Sequence, residues 1–290
     1  MMINSKTKLL GVIGHPIGHS LSPLMHNAVF GELNLNSVYL AFDVKPDDLG
    51  RFVPGAVAMG FSGMNVTIPH KVEIIKYLDE VSKEAGLIGA VNTVKFNHET
   101  GKTKGFNTDG LGCVRALEEA GEEISGKNVF ILGAGGAARA IVFQCVLEGA
   151  NVSITNRTEE FFMAVNLKSE IKEKLGKDVK VVDFSNDAIG EALNNSDILI
   201  HTTPVGMFPN LAGILIPGDI IPSHLTVMDN VYNPVETKLL KLAGAKGCKT
   251  VPGVGMFVHQ GAESEKIWFG DINPPVDLMK KVVMAEFHKK

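Results

Sequence analysis

The chain has 290 residues, of which 45% are hydrophobic and 21% charged, and its formal net charge is −4. This length predicts about two domains of a soluble globular protein, and the charge argues against nucleic acid or a membrane surface as a partner. The apolar runs are too short to span a bilayer or to form a signal-peptide core. Cys113, Cys145 and Cys248 have no metal-ligand spacing, so we expect reduced thiols in a cytoplasmic protein and no metal site.

Short apolar runs alternate with amphipathic stretches through the first part of the chain, a pattern typical of parallel α/β structure. The predicted strands here are Leu9–Ile13, Val38–Phe42, Gly63–Val66 and Ala90–Phe96, with Ala90–Phe96 pairing with Thr103–Gly105. The predicted helices are one that begins with Ser22 and Pro23, one at Asp47–Met59 and one at Lys71–Leu78. In the first helix we expect Ser22 to be the N-cap, and Leu24, Ala28, Val29 and Leu33 to share the buried face.

The second part of the chain has the pattern of one doubly wound nucleotide-binding unit. A helix at Leu111–Glu119 precedes strands that begin at Asn128 and continue at Val152–Thr155, Val179–Val182, Ile198–His201 and Leu225–Met228, and two closing helices follow at Met256–Phe269 and Pro275–Lys289. We therefore predict a two-domain α/β protein. A mainly parallel α/β substrate domain covers residues 1–109 and a Rossmann-type dinucleotide-binding domain covers 110–255, with the helices of about 256–290 packing back on the first domain.

The stretch Gly133-Ala134-Gly135-Gly136-Ala137-Ala138 lies between the strand at Asn128 and a helical pattern. It fits the dinucleotide fingerprint G-x-G-x-x-G/A. Gly133 would allow the tight turn, Gly135 would let the backbone approach a pyrophosphate, and the N–H groups at the start of the helix would hold the phosphates. Glycine clusters also serve as ordinary turns, but the flanking strand and helix favour binding of a dinucleotide cofactor.

The next strand runs into Asn156-Arg157-Thr158, where such domains contact the adenosine ribose. An acidic residue at this place accepts the 2′-hydroxyl of NAD, whereas an arginine accommodates the 2′-phosphate of NADP. Arg157 therefore favours NADP, although it could also be a solvated loop residue. Glu159 and Glu160 point the other way, because a carboxylate there would repel a phosphate. NADP is the preferred prediction and NAD the alternative.

The segment Asn65 to Lys71 follows a strand of the first domain. Pro69 cannot lie in a central strand, so Thr67 and Lys71 are expected beyond the strand's carboxyl end, where open α/β sheets bind ligands. Taken alone, Lys71 has the plainer interpretation of a solvent-exposed helix residue.

Two further polar clusters carry similar alternatives. Asp109, in Asn107-Thr108-Asp109-Gly110, could simply cap a helix, and Ser20 and Ser22 look like another capping motif. Because several such clusters follow strands of one domain, we expect them to face one cleft.

The chain as a whole resembles the shikimate dehydrogenase family. The segments that carry the resemblance, in the family's order, are Ser20-Leu21-Ser22-Pro23, Asn65-Val66-Thr67 through Lys71, Gly89-Ala90-Val91-Asn92-Thr93, Gly105 to Gly110, Gly133 to Arg139, Asn156-Arg157-Thr158, Asp229 to Pro234, and Gly253-Val254-Gly255-Met256 leading to Gln260. The fingerprint alone occurs in many unrelated enzymes, whereas the ordered set is typical of this one family.

The resemblance implies a role for each matching residue. Lys71 resembles the acid/base lysine and Asp109 its paired aspartate. The implied substrate residues are Ser20 and Ser22 with Tyr232 for the carboxylate, and Thr67, Asn92 and Gln260 for the ring hydroxyls. The implied cofactor residues are Gly133, Ala134, Gly135, Gly136 and Ala137, then Asn156, Arg157 and Thr158, and finally Asn230 and Gly253 beside the nicotinamide.

The implied reaction is the reversible, NADP-dependent reduction of 3-dehydroshikimate to shikimate in the biosynthesis of chorismate and aromatic amino acids. One departure concerns the cofactor, because Glu159, Glu160 and Phe161 stand where NADP-using members often have a second basic residue. A branch that accepts quinate and NAD has an acidic residue there, so that branch is the alternative. The sequence decides neither the protonation state of Lys71 nor whether the protein forms a homodimer.

Two other classes of function compete with this interpretation. A catalytically silent dinucleotide sensor would need neither Lys71 nor Asp109. A folate-type or other two-domain NADP oxidoreductase would lack the pair Ser20 and Ser22 and the cluster Asn107-Thr108-Asp109.

Overall fold

The computed structural model describes residues 3–287. The chain divides into two units: residues 3–108 with 260–287 form unit 1, and Asp109–His259 forms unit 2. The sequence predicts that the chain passes between the two domains at 109/110 and at 255/256. Residues 288 and 289, at the end of the last predicted helix, lie outside the described residues. Among the residues described, no helix is both long and apolar enough to cross a membrane.

Unit 1 is built on a six-stranded sheet of order β2-β1-β3-β5-β6-β4. Its strands are β1 Lys8–Gly14, β2 Ser37–Asp43, β3 Phe61–Val66, β4 Glu80–Val81, β5 Thr93–Phe96 and β6 Thr103–Phe106. Its helices are α1 Ser22–Glu32, α2 Leu49–Ala58, α3 Lys83–Ile88, the later part of α9 Gly253–Phe269, and α10 Val276–Phe287. The first three strands are parallel, whereas β5 runs antiparallel to β3 and β6.

Aromatic side chains fill much of the core beside this sheet. Phe61, which is 1% exposed, packs against Phe42, Phe52 and Phe96 at centroid distances of 5.3 to 6.1 Å. Each fully buried Phe stabilises the fold by about 1.5–3 kcal/mol relative to an exposed one. This core supports the strands whose ends carry the predicted substrate residues.

Helix α1 corrects two expectations. Ser22 is not the N-cap but the first helical residue, because the cap position falls on Leu21 and the hydroxyl of Ser20 accepts the N–H of Ser22 at 3.3 Å. The buried face is formed by Met25, Val29 and Phe30, whereas Leu24 is exposed. The expected buried face began with Leu24, whereas in the structure it begins with the next apolar residue, Met25.

The predicted helix at Lys71–Leu78 is also wrong in type. Lys71 and Val72 form a turn, and Glu73–Tyr77 forms a short 3₁₀ helix. Val72, Ile74 and Ile75 are β-branched, which weakens the α-helical preference of so short a segment. The predicted strand Ala90–Phe96 begins only at Thr93, which leaves Asn92 in the preceding loop.

Unit 2 is a six-stranded, wholly parallel sheet of order β12-β11-β10-β7-β8-β9. Its strands are β7 Asn128–Leu132, β8 Asn151–Thr155, β9 Lys180–Val181, β10 Ile198–His201, β11 Thr226–Asp229 and β12 Lys249–Pro252. Its helices are α4 Asp109–Glu119, α5 Gly136–Leu147, α6 Phe161–Leu175, α7 Asn186–Asn194, α8 Lys238–Ala245 and the first part of α9.

Counted from β7, the order of this sheet is the Rossmann order 3-2-1-4-5-6. The predicted α/β fold class is therefore confirmed. Two short strands, β4 and β12, escaped prediction because neither contains a clear apolar run.

Candidate active site

The polar residues predicted in unit 1 collect at one edge of its sheet. The parallel strands β1 and β3 end there, and the antiparallel pairings of Asn65 with Thr93 and of Thr93 with Phe106 bring the start of β5 and the end of β6 to the same edge. Ligands of open α/β sheets bind at such carboxyl ends. The topology thus explains why motifs far apart in sequence come together.

Backbone hydrogen bonds hold the segment after β3 in place. The N–H of Thr67 donates to the carbonyl of Ile13 at 2.9 Å, and the N–H of Val91 donates to the carbonyl of Lys71 at 2.7 Å. Thr67 and Lys71 are both half-buried. The predicted acid/base lysine therefore lies in an ordered turn beside the loop that carries Asn92.

Asn92 is the centre of a buried hydrogen-bond network and is 2% exposed. Its Oδ1 accepts the N–H of Thr108 at 2.9 Å, and its Nδ2 donates to Thr108 Oγ1 at 2.9 Å and to Gln260 Oε1 at 3.4 Å. The structure thus brings together Asn92 and Gln260, two of the residues expected to bind ring hydroxyls.

A second buried amide, Asn65, is hydrogen-bonded to the backbone of Asn92 and extends this network. Its Nδ2 donates to the carbonyl of Asn92 and to the hydroxyls of Thr93 and Ser264 at 3.0 to 3.1 Å, and its Oδ1 accepts the hydroxyl of Tyr39 at 2.7 Å. Satisfied buried networks of this kind hold side chains rigidly.

In unit 2, Gly133 has φ +117° and lies beside the residues that follow β10. A Cβ at this position would collide with Thr202 Oγ1 and come within 3.0 Å of Thr203 Cγ2. The point lies between β7 and β10, where the strand order reverses and dinucleotides bind. Only glycine fits this turn without strain.

The rest of the loop has the space that a pyrophosphate needs. Gly135 is the N-cap of α5, and a Cβ on Gly135 or Gly136 would meet nothing within 4 Å. Ala138 is 1% exposed, which fits close packing of the helix on its strand. The first N–H groups of α5 and its positive dipole end are suited to anionic phosphate. The residues present therefore fit a dinucleotide cofactor.

Arg157 is exposed and lies directly after Asn156, which is buried. Its guanidinium forms an ion pair of 3.1 Å with Glu160, and Asn156 Nδ2 donates to the carbonyl of Glu160 at 3.1 Å. Glu160, rather than Glu159, is thus the acidic residue that contacts Arg157, the residue predicted to bind the 2′-phosphate.

The remaining predicted residues of unit 2 lie at the starts of helices or in the loop that follows β11. Asp109 is the first residue of α4 and is 5% exposed. Tyr232 stacks on Phe257 with a centroid distance of 4.6 Å, and burial raises the pKa of its phenol.

Asn230 follows β11, and a Cβ on Gly253 would come within 2.6 Å of the carbonyl oxygen of Asn230. Both side-chain polar atoms of Asn230 are buried without a partner among the described residues, as expected of a group that awaits a ligand.

A buried polar network in unit 2 escaped the sequence analysis. His201 Nδ1 lies 2.9 Å from Asp229, and Asp229 accepts the hydroxyl of Thr237 at 2.6 Å and the N–H of Val231 at 3.0 Å. The signal was present, because β10 ends in His and the neighbouring β11 ends in Asp. Within residues 3–287, we find no cluster of three or more His, Cys, Asp or Glu that could hold a metal ion.

Two family models match the chain. The shikimate dehydrogenase substrate binding domain matches residues 12–94, and the shikimate 5'-dehydrogenase C-terminal domain matches residues 253–284. A relative from Methanocaldococcus jannaschii, named shikimate dehydrogenase (NADP(+)), is 48% identical over 290 residues, which are 99% of this chain and all of the relative. The chain belongs to the shikimate dehydrogenase family.

Solved structures of this family agree with the fold. A shikimate dehydrogenase in complex with NADP+ is 46% identical, with a TM-score of 0.91 over 99% of this chain and 98% of its own. A shikimate 5-dehydrogenase from Listeria monocytogenes, in complex with shikimate and NAD, is 41% identical, with a TM-score of 0.91 over 98% of each chain. The family's substrate-binding model includes Ser20, Ser22, Thr67, Lys71 and Asn92, and its C-terminal model includes Gln260.

Proposed function

We propose that this chain is an NADP-dependent shikimate dehydrogenase that reversibly reduces 3-dehydroshikimate to shikimate in aromatic amino acid biosynthesis. The observation that carries the proposal is the shared sheet edge of unit 1, which gathers a lysine, hydroxyls and amides from four separate segments of the chain. A polyhydroxylated carboxylate needs this mixture of donors and acceptors. The similarity to relatives named shikimate dehydrogenase (NADP(+)) supports it along the whole chain.

The substrate is held by two sets of groups in this proposal. Ser20 and Ser22 donate their hydroxyls to the carboxylate, because hydrogen bonds to a charged group are the stronger ones. Thr67, Asn92 and Gln260 bind the ring hydroxyls. Asn92 and Gln260 already contact each other at 3.4 Å, so they are ordered before substrate binds.

The cofactor is held by unit 2. The backbone from Gly133 to Ala137 and the start of α5 take the pyrophosphate, and Asn156, Arg157 and Thr158 take the 2′-phosphate. Asn230 and Gly253 lie toward the nicotinamide end in this proposal, and the unpartnered amide of Asn230 supports that placement. When bound, NADP supplies the hydride chemistry, which side chains alone lack.

Lys71 is the proposed acid/base residue. In the oxidation its Nζ accepts the proton of the reacting hydroxyl, and in the reduction the same atom returns that proton to the new alcohol oxygen. Asp109, the first residue of α4, binds a substrate hydroxyl in this proposal. The buried network around Asn92 and Asn65 holds the adjacent loop still, so that the substrate is presented to Lys71 in one orientation.

The direct test is identification of the product. The purified protein is incubated with 3-dehydroshikimate and NADPH, and the product is identified by NMR spectroscopy. Stoichiometric formation of shikimate, lost in Lys71→Ala, supports the proposal, whereas an unchanged substrate contradicts it. We further propose a cytoplasmic enzyme that acts on small molecules, and light scattering of the purified protein will test whether it is a homodimer.

A further inference from the structure

Unit 1 contains a buried pair of ionisable side chains that the proposed mechanism does not use. His26 Nδ1, on α1, lies 2.7 Å from Glu265 Oε1, on α9, and both side chains are 0% exposed. Burial raises the pKa of the Glu265 carboxyl, and His26 opposes that rise. The two residues are 239 positions apart in the sequence, and their contact joins α1 to α9.

Gly261 of α9 lies close to α1 beside this pair. A Cβ on Gly261 would collide with Met25 Cε and lie 3.3 Å from His26 Cε1. A hydrogen bond beside such a close contact fixes how far one helix can slide along the other, because it joins two specific atoms.

The same two helices carry proposed substrate residues. Ser22 lies one turn before His26 on the buried face of α1. Gln260 lies one turn before Ser264 on α9, and Ser264 Oγ donates to the Gln260 carbonyl at 2.9 Å. A shift of α1 against α9 would therefore move Ser22 relative to Gln260.

The pair is also in contact with the network beneath Asn92. His26 stacks on Tyr39 at a centroid distance of 4.4 Å, and the Tyr39 hydroxyl donates to Asn65 Oδ1 at 2.7 Å. Asn65 in turn donates to Ser264 at 3.0 Å. Every step of this path is a contact within unit 1.

Stability alone is a weak reason for this pair. Buried ion pairs are often no more stabilising than apolar residues of similar size. Here His26 Nε2 and Glu265 Oε2 are buried without a hydrogen-bond partner among the described residues, which adds to the cost of burial.

We propose that His26 and Glu265 are positioning residues, whose hydrogen bond sets α1 against α9 and so places Ser22 and Gln260 for shikimate. The inference rests on the proposed function, because it assigns the pair a role in binding that substrate. It predicts an effect on shikimate and none on NADP, whose proposed ligands belong to unit 2.

Three variants separate positioning from stability. Glu265→Leu removes the hydrogen bond, Glu265→Gln keeps an acceptor for His26, and the double variant His26→Leu with Glu265→Leu replaces the pair by apolar side chains. Glu263→Gln is the matched control, since Glu263 lies on the same helix but pairs with Lys266 at the surface. For each we would measure KM for shikimate, KM for NADP, kcat and Tm.

We expect Glu265→Leu to raise the KM for shikimate at least about fivefold while the KM for NADP stays within about twofold, because small displacements of binding groups are costly. The double variant should regain a Tm near that of the wild type yet keep the raised KM for shikimate. Glu265→Gln and Glu263→Gln should behave like the wild type.

A double variant with normal KM for shikimate, a Gln variant as impaired as the Leu variant, or parallel rises in both KM values would overturn the inference. If the double variant does not fold, the split between the two KM values in Glu265→Leu decides the matter. Calorimetric titration of the wild type with shikimate keeps the two proposals apart. No binding there contradicts the proposed function, whereas wild-type binding with normal binding by Glu265→Leu contradicts the positioning role alone.

Discussion

Glu160 lies 3.1 Å from the guanidinium of Arg157, so the residue proposed to hold the 2′-phosphate of NADP already has an anionic partner. Both side chains are about half exposed, and exposed ion pairs contribute only about 0–1 kcal/mol. A doubly charged phosphate at short range should therefore displace the carboxylate. We therefore expect the competition to lower the preference for NADP without reversing it.

This relationship predicts opposite effects for the two residues. Glu160→Gln should tighten NADP by up to about fivefold, since it removes a partner worth about 0–1 kcal/mol. Arg157→Ala should weaken NADP by about 1.5–3 kcal/mol, the usual value of a hydrogen bond to a charged group, and leave NAD nearly unchanged. Fluorescence titration with both cofactors measures these effects. Glu159→Gln is the control, and a larger effect there than at Glu160 would show that the wrong carboxylate has been assigned.

Gly133 and Gly135 should respond differently to alanine. Gly133→Ala forces a side chain against Thr202 in a backbone conformation with φ +117°, so we expect a loss of about 1–3 kcal/mol in unfolding free energy and weaker NADP binding. Gly135→Ala meets no protein atom within 4 Å, so it should crowd only the pyrophosphate. Urea unfolding and the KM for NADP distinguish them. A Gly135→Ala protein with wild-type KM for NADP would contradict the placement of the pyrophosphate.

Lys71→Ala should lower kcat by at least about 10² with a smaller change in the KM for shikimate, as expected when an acid/base group is lost. Lys76→Ala is the matched control, because Lys76 belongs to the same segment but pairs with Glu73 at the surface. Steady-state kinetics at saturating NADP provide the measurement. Turnover by Lys71→Ala within a few-fold of the control would remove Lys71 from the mechanism.

The pH dependence of stability should reveal the Glu170 carboxylate of α6. Its two oxygens accept Arg139 Nη1 and Nη2 at 2.8 and 2.7 Å, and these bonds lower the pKa of Glu170 from 4.5 to about 2. A lowered pKa means that the stabilisation is complete above the unfolded value near 4.5 and is lost as the pH falls toward 2.

With about a third of the Glu170 side chain exposed, we expect Glu170→Gln to cost about 1–2 kcal/mol at neutral pH after allowance for solvent screening. The cost should be much smaller at pH 2, where the folded carboxyl is about half protonated. Denaturant titrations at several pH values measure the difference. A deficit of the variant that does not shrink below pH 4.5 would rule out this ionic contribution.

Most of the fold could be predicted from the sequence because many of its strands are short apolar runs. The run Val129 to Leu132 before Gly133 is apolar and buried in a parallel sheet, and the strand Ile198–His201 was predicted to the residue. Errors fell where periodicity carries little information. Lys71–Leu78 is a turn and a 3₁₀ helix. The N-cap position of α1 falls on Leu21 instead of Ser22.

The candidate site was less accessible from sequence. The motifs identified Ser20, Thr67, Lys71 and Asn92 and led us to expect one shared cleft, but the strand order and register that bring β3 and β5 side by side could not be predicted. The ion pair of Arg157 with Glu160 rather than Glu159 depends on the local turn, which composition does not specify. The buried contact between His26 and Glu265 joins positions too far apart for any local pattern to predict.

The most direct test of the central claim is a spectrophotometric panel in which the wild-type protein oxidises shikimate or quinate with NADP or NAD. We predict the highest kcat/KM for shikimate with NADP, measured as reduced nicotinamide at saturating cosubstrate. A higher kcat/KM with NAD, or with quinate, would contradict the account and assign the chain to the other branch of the family.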